Sequence, residues 1–172
     1  VDFTVRESVV LGRYPYLKGW ASLSPDDVAA VDEALERTEM TGLADRPLGE
    51  LSGGEYQRTL IAAALAQGGR VMLLDEPTSF LDTRHCVQVL DLLTRLHRDH
   101  GLTVIAVTHD LNGLVAVSDR VMALRDGRAV YHGPPGDLLV PETLGAIFGT
   151  GFRCVPGGRH GLPLAVPLWE DV

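Results

Sequence analysis

A chain of 172 residues, 45% hydrophobic and 22% charged, holds enough apolar material for one folded domain with a sizeable core. Its formal net charge of -8, with Lys18 as the single lysine, excludes a broad surface for nucleic acid or anionic membrane, because phosphates are held by an excess of Lys and Arg. No apolar run approaches the roughly 18 residues of a spanning helix, no signal-peptide pattern opens the chain, and Cys86 and Cys154 show neither metal-ligand spacing nor a disulfide framework, which fits a reducing cytoplasm.

The chain opens at Val1 inside an apolar stretch, which predicts a fragment of a longer protein. Val5, Val9, Val10 and Leu11 recur at helical spacing up to Gly12 and Pro15, predicting a short helix within residues 5–17. Arg13, Tyr14, Tyr16 and Trp20 then cluster around Pro15 and Gly19, either as a docking surface for a partner or folded back on the domain's own core. Ser24, Pro25, Asp26 and Asp27 make a strong helix start, since Ser caps, Pro suits the first helical position and acids suit the positive end of the dipole. Val28, Val31, Leu35 and Met40 are its expected apolar face, and Gly42 its end.

Ser52 and Glu55 are spaced for a capping box, and Gly53 and Gly54 between them leave the first-turn amides open to an anion that the helix dipole also favours. That helix should reach Gln67, with Leu60, Ile61, Ala64 and Leu65 inward, and stop at Gly68-Gly69. Residues 71–74 then predict a parallel strand buried on both faces, so Asp75 and Glu76 emerge at its carboxyl end, where open α/β sheets place their ligands. Asp82 caps a helix to about Arg98, with Val87, Leu90, Leu93 and Leu96 inward, and Gly101 closes it.

Residues 102–107 predict a second buried strand, ending at Thr108-His109-Asp110, with Asp110 capping a short helix over 111–117. Strand and helix alternating at this spacing predict an α/β fold with a parallel sheet and right-handed crossovers. Asp126-Gly127 signals a tight hairpin within 120–132. Helical pieces broken at Pro141 follow over 137–148, then weak strands or an extended tail at 152–155 and 162–168.

Asp75, Glu76 and His109 thus share the carboxyl side of one sheet. Asp75 suits Mg²⁺, which takes few carboxylates alongside phosphate oxygens and water. Glu76 suits a group that orients or deprotonates a water attacking a terminal phosphate, and His109 a group that hydrogen-bonds that phosphate. Each alone has a plainer reading as a turn, cap or surface residue; together with the Ser-Gly-Gly-Glu helix start they point to nucleoside-triphosphate chemistry.

Leu51-Ser52-Gly53-Gly54-Glu55, followed by Gln57-Arg58, resembles the signature motif of ATP-binding-cassette (ABC) ATPases. Residues 71–76 resemble their Walker B strand with the catalytic glutamate, Ser79-Phe80-Leu81-Asp82 their D-loop, and Thr108-His109-Asp110 their switch-histidine loop. The four stand in the family's order, and the resemblance covers about residues 5–149. Val9-Val10-Leu11-Gly12-Arg13-Tyr14-Pro15 is similar to the ATPase subunits of importers for iron-siderophores, haem or cobalamin.

The resemblance implies a P-loop NTPase-like parallel sheet flanked by helices: a helical signature subdomain over about 1–68, a Walker B to switch-histidine core with an edge hairpin over about 69–149, and a carboxyl-terminal tail over about 150–172. It implies ATP and Mg²⁺ as cofactors, Glu76 and His109 as catalytic residues, Ser52, Gly53, Gly54, Glu55 and Asp82 as nucleotide-binding residues and Asp75 as the metal residue. The implied partners are a second ATPase subunit, in a head-to-tail dimer where Ser52, Gly53 and Gly54 bind the terminal phosphate of ATP held by the other copy, and membrane permease subunits docked at Arg13, Tyr14, Tyr16 and Trp20. No nucleic acid is implied, and the location is the cytoplasmic face of the cell membrane, peripheral and without insertion.

The family also needs a phosphate-binding loop of the Gly-x-x-x-x-Gly-Lys-Ser/Thr type, which the 172 residues lack; Lys18, followed by Gly19-Trp20, does not supply it. The expectation is therefore an amino-terminally truncated importer ATPase, first strands and phosphate loop missing, whose parent hydrolyses ATP while the chain alone binds it feebly and does not turn it over. Bare apolar sheet surface and poor stability should follow. The alternative is a non-catalytic partner that supplies the signature motif in trans, which needs only Ser52 to Glu55 intact. A DNA-repair or chromosome-organising ATPase is disfavoured by the absence of a long heptad segment and by the low basic content.

Overall fold

Thr4 starts the first helix by closing a capping box with Glu7, and α1 runs Val5–Val10 in the computed structural model, which describes residues 3–17 and 22–169. Lys18, Gly19 and Trp20 lie outside the described residues. Along the sequence the chain divides into two compact units, one ending at Thr108 and one beginning at His109.

In the first unit α1 passes into a 3₁₀ turn, Leu11–Tyr16, that lies against helix α3, Gly53–Ala66. The approach is so close that a Cβ on Gly12 would sit 2.1 Å from the Ala63 carbonyl oxygen. Arg13 and Tyr16 are spent on the end of α3. Arg13 donates from Nη1 to the Ala66 carbonyl at 2.7 Å and from Nε to Asp27 at 2.9 Å, and the Tyr16 hydroxyl donates to the Gln67 carbonyl at 2.6 Å. These groups satisfy carbonyls that the helix end leaves without intrahelical partners, and cations suit that pole of the dipole. The Arg13 guanidinium also stacks 3.9 Å above the Tyr16 ring.

Helix α2, Pro25–Arg37, begins at Ser24 with the expected cap, Ser24 and Asp27 exchanging bonds in a capping box. Its buried face differs from the expected one. Val28 is exposed and the neighbouring Asp27 is buried, because Asp27 pairs with Arg13; Val31, Leu35 and, beyond the helix, Met40 are buried as expected. The Ser24 hydroxyl and amide, and then Arg13, hold the Asp27 carboxyl below its usual range.

Helix α3 stands between two apolar clusters. Ala62 and Ala66 join Val5, Val9, Val31 and Leu35 on the α1/α2 side. Ile61 joins Met72, Val89, Leu92 and Leu96 on the other. Leu60, expected inward, belongs to neither and is exposed.

Strands β1, Val71–Asp75, and β2, Thr103–Val107, pair in parallel from Val71 opposite Thr103 to Asp75 opposite Val107, with helix α4, Thr83–His100, as the crossover. The strands are not buried on both faces as the unbroken apolar run predicts. Met72, Leu74 and Val104 pack on the cluster beneath α3 and α4, whereas Val71, Leu73, Ile105 and Val107 on the opposite face are exposed, Leu73 to 73%. The expected bare apolar sheet surface is therefore present.

The inward residues of α4 are Val89, Leu92, Leu93 and Leu96, not the predicted Val87, Leu90, Leu93 and Leu96; Val87 is exposed and Leu90 half-buried. A constant step of three falls about 60° short of a full turn each time, so Val87 and Leu96 lie on roughly opposite sides, whereas steps of three and four hold one face. Gly101, in a left-handed conformation at φ 66°, ends the helix as predicted.

The second unit is built on helix α5, Leu111–Val115, the hairpin β3–β4 (Val121–Arg125 and Arg128–Gly133), helices α6, Pro135–Leu138, and α7, Pro141–Phe148, and the antiparallel pair β5–β6 (Phe152–Val155 and Leu164–Pro167). Asp126 and Gly127 both take positive φ, which gives the predicted tight turn its primed geometry. Val121, Leu138, Leu144 and Ile147 form its core. Asn112 on α5 donates to the Ala165 carbonyl at 3.1 Å and accepts from the Ala165 amide at 2.9 Å, so its side-chain amide ties the helix to β6.

Gly12→Ala tests the α1–α3 contact. The gain from a less flexible unfolded chain is under about 1 kcal/mol, and the forced separation costs about 1–3 kcal/mol, so denaturant titration should show a net loss. Gly49→Ala, where nothing lies within 4 Å of the added carbon, should be neutral or slightly stabilising.

Candidate nucleotide site

The first part of the site is the end of β1. The Glu76 amide donates to the Val107 carbonyl at 2.8 Å, prolonging the parallel ladder by one bond beyond the exposed Asp75. Glu76 itself then takes φ 49°, a left-handed conformation that is costly for a glutamate, and the chain turns away at Pro77. The Ser79 amide donates to the Glu76 carbonyl at 3.1 Å and the Ser79 hydroxyl to Glu76 Oε2 at 2.8 Å. The carboxylate is thereby held over its own turn. Phe80, also at positive φ, is fully exposed.

The second part is the start of α3. Glu55 donates its amide to the Ser52 hydroxyl at 3.3 Å, and its carboxylate accepts from the Ser52 amide at 2.7 Å. The Ser52 amide first, and then the Ser52 hydroxyl, hold the Glu55 carboxyl below its usual range. Gly53 is exposed and Gly54 buried.

Both glycines have a steric reason beyond openness to an anion. A Cβ on Gly53 would lie 3.2 Å from the Leu81 side chain, and one on Gly54 would lie 2.4 Å from His85 Cδ2. The segment following β1 thus packs directly on this turn. Asp82 caps α4 by accepting from the His85 amide at 2.9 Å, and its other oxygen meets His85 Nδ1 at 2.9 Å. These two contacts, the backbone one foremost, depress the Asp82 carboxyl.

Ser52, Gly53, Gly54 and Glu55 are therefore brought together with Asp82, and Asp75 with Glu76. His109 opens the second unit, its carbonyl accepting from Leu111, while Asp110 accepts from the Gly113 amide at 2.9 Å and caps α5 as expected. Among the described residues no group of three or more His, Cys, Asp or Glu could enclose a metal ion. A lone exposed carboxylate at a strand end nevertheless fits Mg²⁺, which keeps most of its water and takes its remaining ligands from phosphates.

The chain matches the ABC transporter family model over residues 2–79. It is 43% identical over 168 residues to the achromobactin transport ATP-binding protein of Dickeya dadantii, covering 98% of this chain and 62% of that relative. It is 41% identical over 167 residues to the ferric enterobactin transport ATP-binding protein of Escherichia coli, covering 97% and 62%. A solved transporter described as metal-chelate type, in an inward-facing conformation, superposes with a TM-score of 0.89 at 31% identity, over 99% of this chain and 68% of that one. The chain belongs to the ATP-binding-cassette transporter family. It spans 62% of the length of each of these two curated relatives.

Two residues of this cassette segment have roles that the linear pattern does not carry. Ser79 falls within the D-loop motif, but its hydroxyl bond to Glu76 depends on the left-handed turn. His85 has a local signal, standing three residues after a capping Asp where side chain and cap can meet. Its contact with Gly54 joins two helices and has none.

Glu55→Gln should show the electrostatic part of the cap. A carboxyl held below its ordinary value stabilises fully above that value, and the benefit is lost as pH falls through the depressed one. The stability gap between the unsubstituted chain and the Glu55→Gln variant should be open near pH 7 and close as the pH falls below about 4, read by thermal melts across that range.

Proposed function

We propose that the whole protein is the ATP-hydrolysing subunit of an importer, energising uptake of an iron-siderophore, haem or cobalamin, and that this chain carries half of each of two ATP sites. The observation that carries the reading is Glu76: a carboxylate delivered by a strand end, turned out of the ladder by a costly backbone conformation and held by Ser79. Strain of this kind persists where surrounding structure enforces it, and it clusters at functional sites.

Glu76 is the group that orients and accepts a proton from the attacking water. Asp75 would hold Mg²⁺, which would supply positive charge to offset that of the phosphate oxygens. His109 donates to the terminal phosphate. Ser52, Gly53, Gly54, Glu55 and Asp82 face the nucleotide held by a second copy in a head-to-tail dimer, where the amides and positive dipole end of α3 favour the phosphate. Glu55 orders that turn through the capping box.

The permease meets the cytoplasmic-facing cassette at the 3₁₀ turn. Among the described residues Tyr14, 76% exposed, and Tyr16, 52% exposed with its hydroxyl bonded to the Gln67 carbonyl, are the aromatics offered there, while Arg13 is engaged with the end of α3. The subunit is peripheral to the membrane; among the described residues no helix is long and apolar enough to cross it.

The decisive experiment measures Mg-ATP hydrolysis and nucleotide binding by the whole protein assembled with its partner subunits. Glu76→Gln should lower kcat by about 10²–10⁴-fold while ATP still binds. A variant that hydrolyses ATP within about twofold of the unsubstituted protein would overturn the reading.

A further inference from the structure

The α3 start meets the segment after β1 at two side chains, Leu81 against Gly53 and His85 against Gly54, and of these His85 is also bonded to Asp82. His85 Nδ1 lies 2.9 Å from Asp82 Oδ2, and the Cδ2 edge of the same ring is what a side chain at Gly54 would strike. Asp82 is anchored in turn, its Oδ1 accepting from the His85 amide at 2.9 Å. The carboxylate is acceptor-only when ionised, so Nδ1 is the donor and the ring cannot turn over without losing the bond. One edge of the imidazole is thus fixed to Asp82 while another forms the wall under Gly54.

We propose that His85 is a positioning residue that holds the signature turn and the D-loop carboxylate in one fixed relation, so that Ser52 to Glu55 and Asp82 are presented to the partner's nucleotide together. This rests on the functional reading above and adds a residue to it. His85 acts through its neighbours: it fixes the turn that presents the Gly53 and Gly54 amides and the angle at which Asp82 leaves α4. A loose turn costs catalysis more than binding when the interaction it supports tightens in the transition state.

Three substitutions separate the bond from the wall. Asparagine can place an amide nitrogen where Nδ1 lies and an oxygen where Cδ2 lies, keeping both. Leucine keeps the branched shape and loses the donor. Phenylalanine also lacks the donor but keeps a flat ring, and serves if the leucine variant does not fold.

In the whole protein with its partner subunits, His85→Leu should lower kcat about tenfold with the ATP KM within about twofold, and His85→Asn should restore kcat to within about twofold of the unsubstituted protein. Hydrogen exchange of the Ser52–Gln57 amides, read on the same samples by mass spectrometry, should quicken in His85→Leu and recover in His85→Asn. Equal kcat and exchange in all variants would overturn the proposal, and so would equal losses in Leu and Asn, which would leave only a packing role. Exchange is read whether or not ATP is turned over, so it judges His85 even if the absence of Glu76-dependent hydrolysis in the unsubstituted protein defeats the functional reading.

Discussion

Helix α3 has two apolar cores to serve, and the first unit depends on its doing so. Ala62 and Ala66 lie in the cluster shared with α1 and α2, while Ile61 is fully buried in the cluster formed with β1 and α4. Small residues on one side let the 3₁₀ turn approach until only Gly12 fits. Both ends are then secured, by Ser52 and Glu55 at the start and by Arg13 and Tyr16 at the finish. A helix held on two sides and at both ends presents its first turn at a defined place.

The acidic side of the site depends on the opposite device, an interruption. The parallel ladder carries one bond past Asp75 and is then broken at Glu76 by a left-handed backbone. Continuing extended would have left Glu76 in the strand's alternation of faces; the turn instead hands its carboxylate to Ser79. Further along, Asp82 starts α4, and its bond to His85 brings that helix under Gly54. The signature turn and the segment after β1 are thus joined within a single unit.

Much of this was legible in the sequence because it is local. The cap at Ser24, the capping box at Ser52, the cap at Asp82, the helix end at Gly101 and the hairpin at Asp126-Gly127 each depend on residues a few positions apart. Where the linear pattern misleads, the deciding partner is remote. Val28 and Asp27 exchange burial because Arg13 reaches Asp27 from another element. The strands' apolar run promises burial on both faces, but only the face bearing Met72, Leu74 and Val104 has helices packed on it.

The sequence by itself determined where α2, α3 and α4 start and that Gly101 stops α4, though not that α2 ends at Arg37 or α5 at Val115. It also determined that Asp75 and Glu76 stand at a strand end and that Ser52 to Glu55 open a helix. These follow from backbone geometry and from hydrogen bonds spanning three or four residues, which a linear pattern encodes directly. The tertiary structure alone decided that Arg13 and Tyr16 close α3, that α4 turns Val89 inward in place of Val87, and that Gly54 must lack a side chain because of His85. Burial and steric exclusion are properties of two surfaces in contact, and no stretch of sequence contains both.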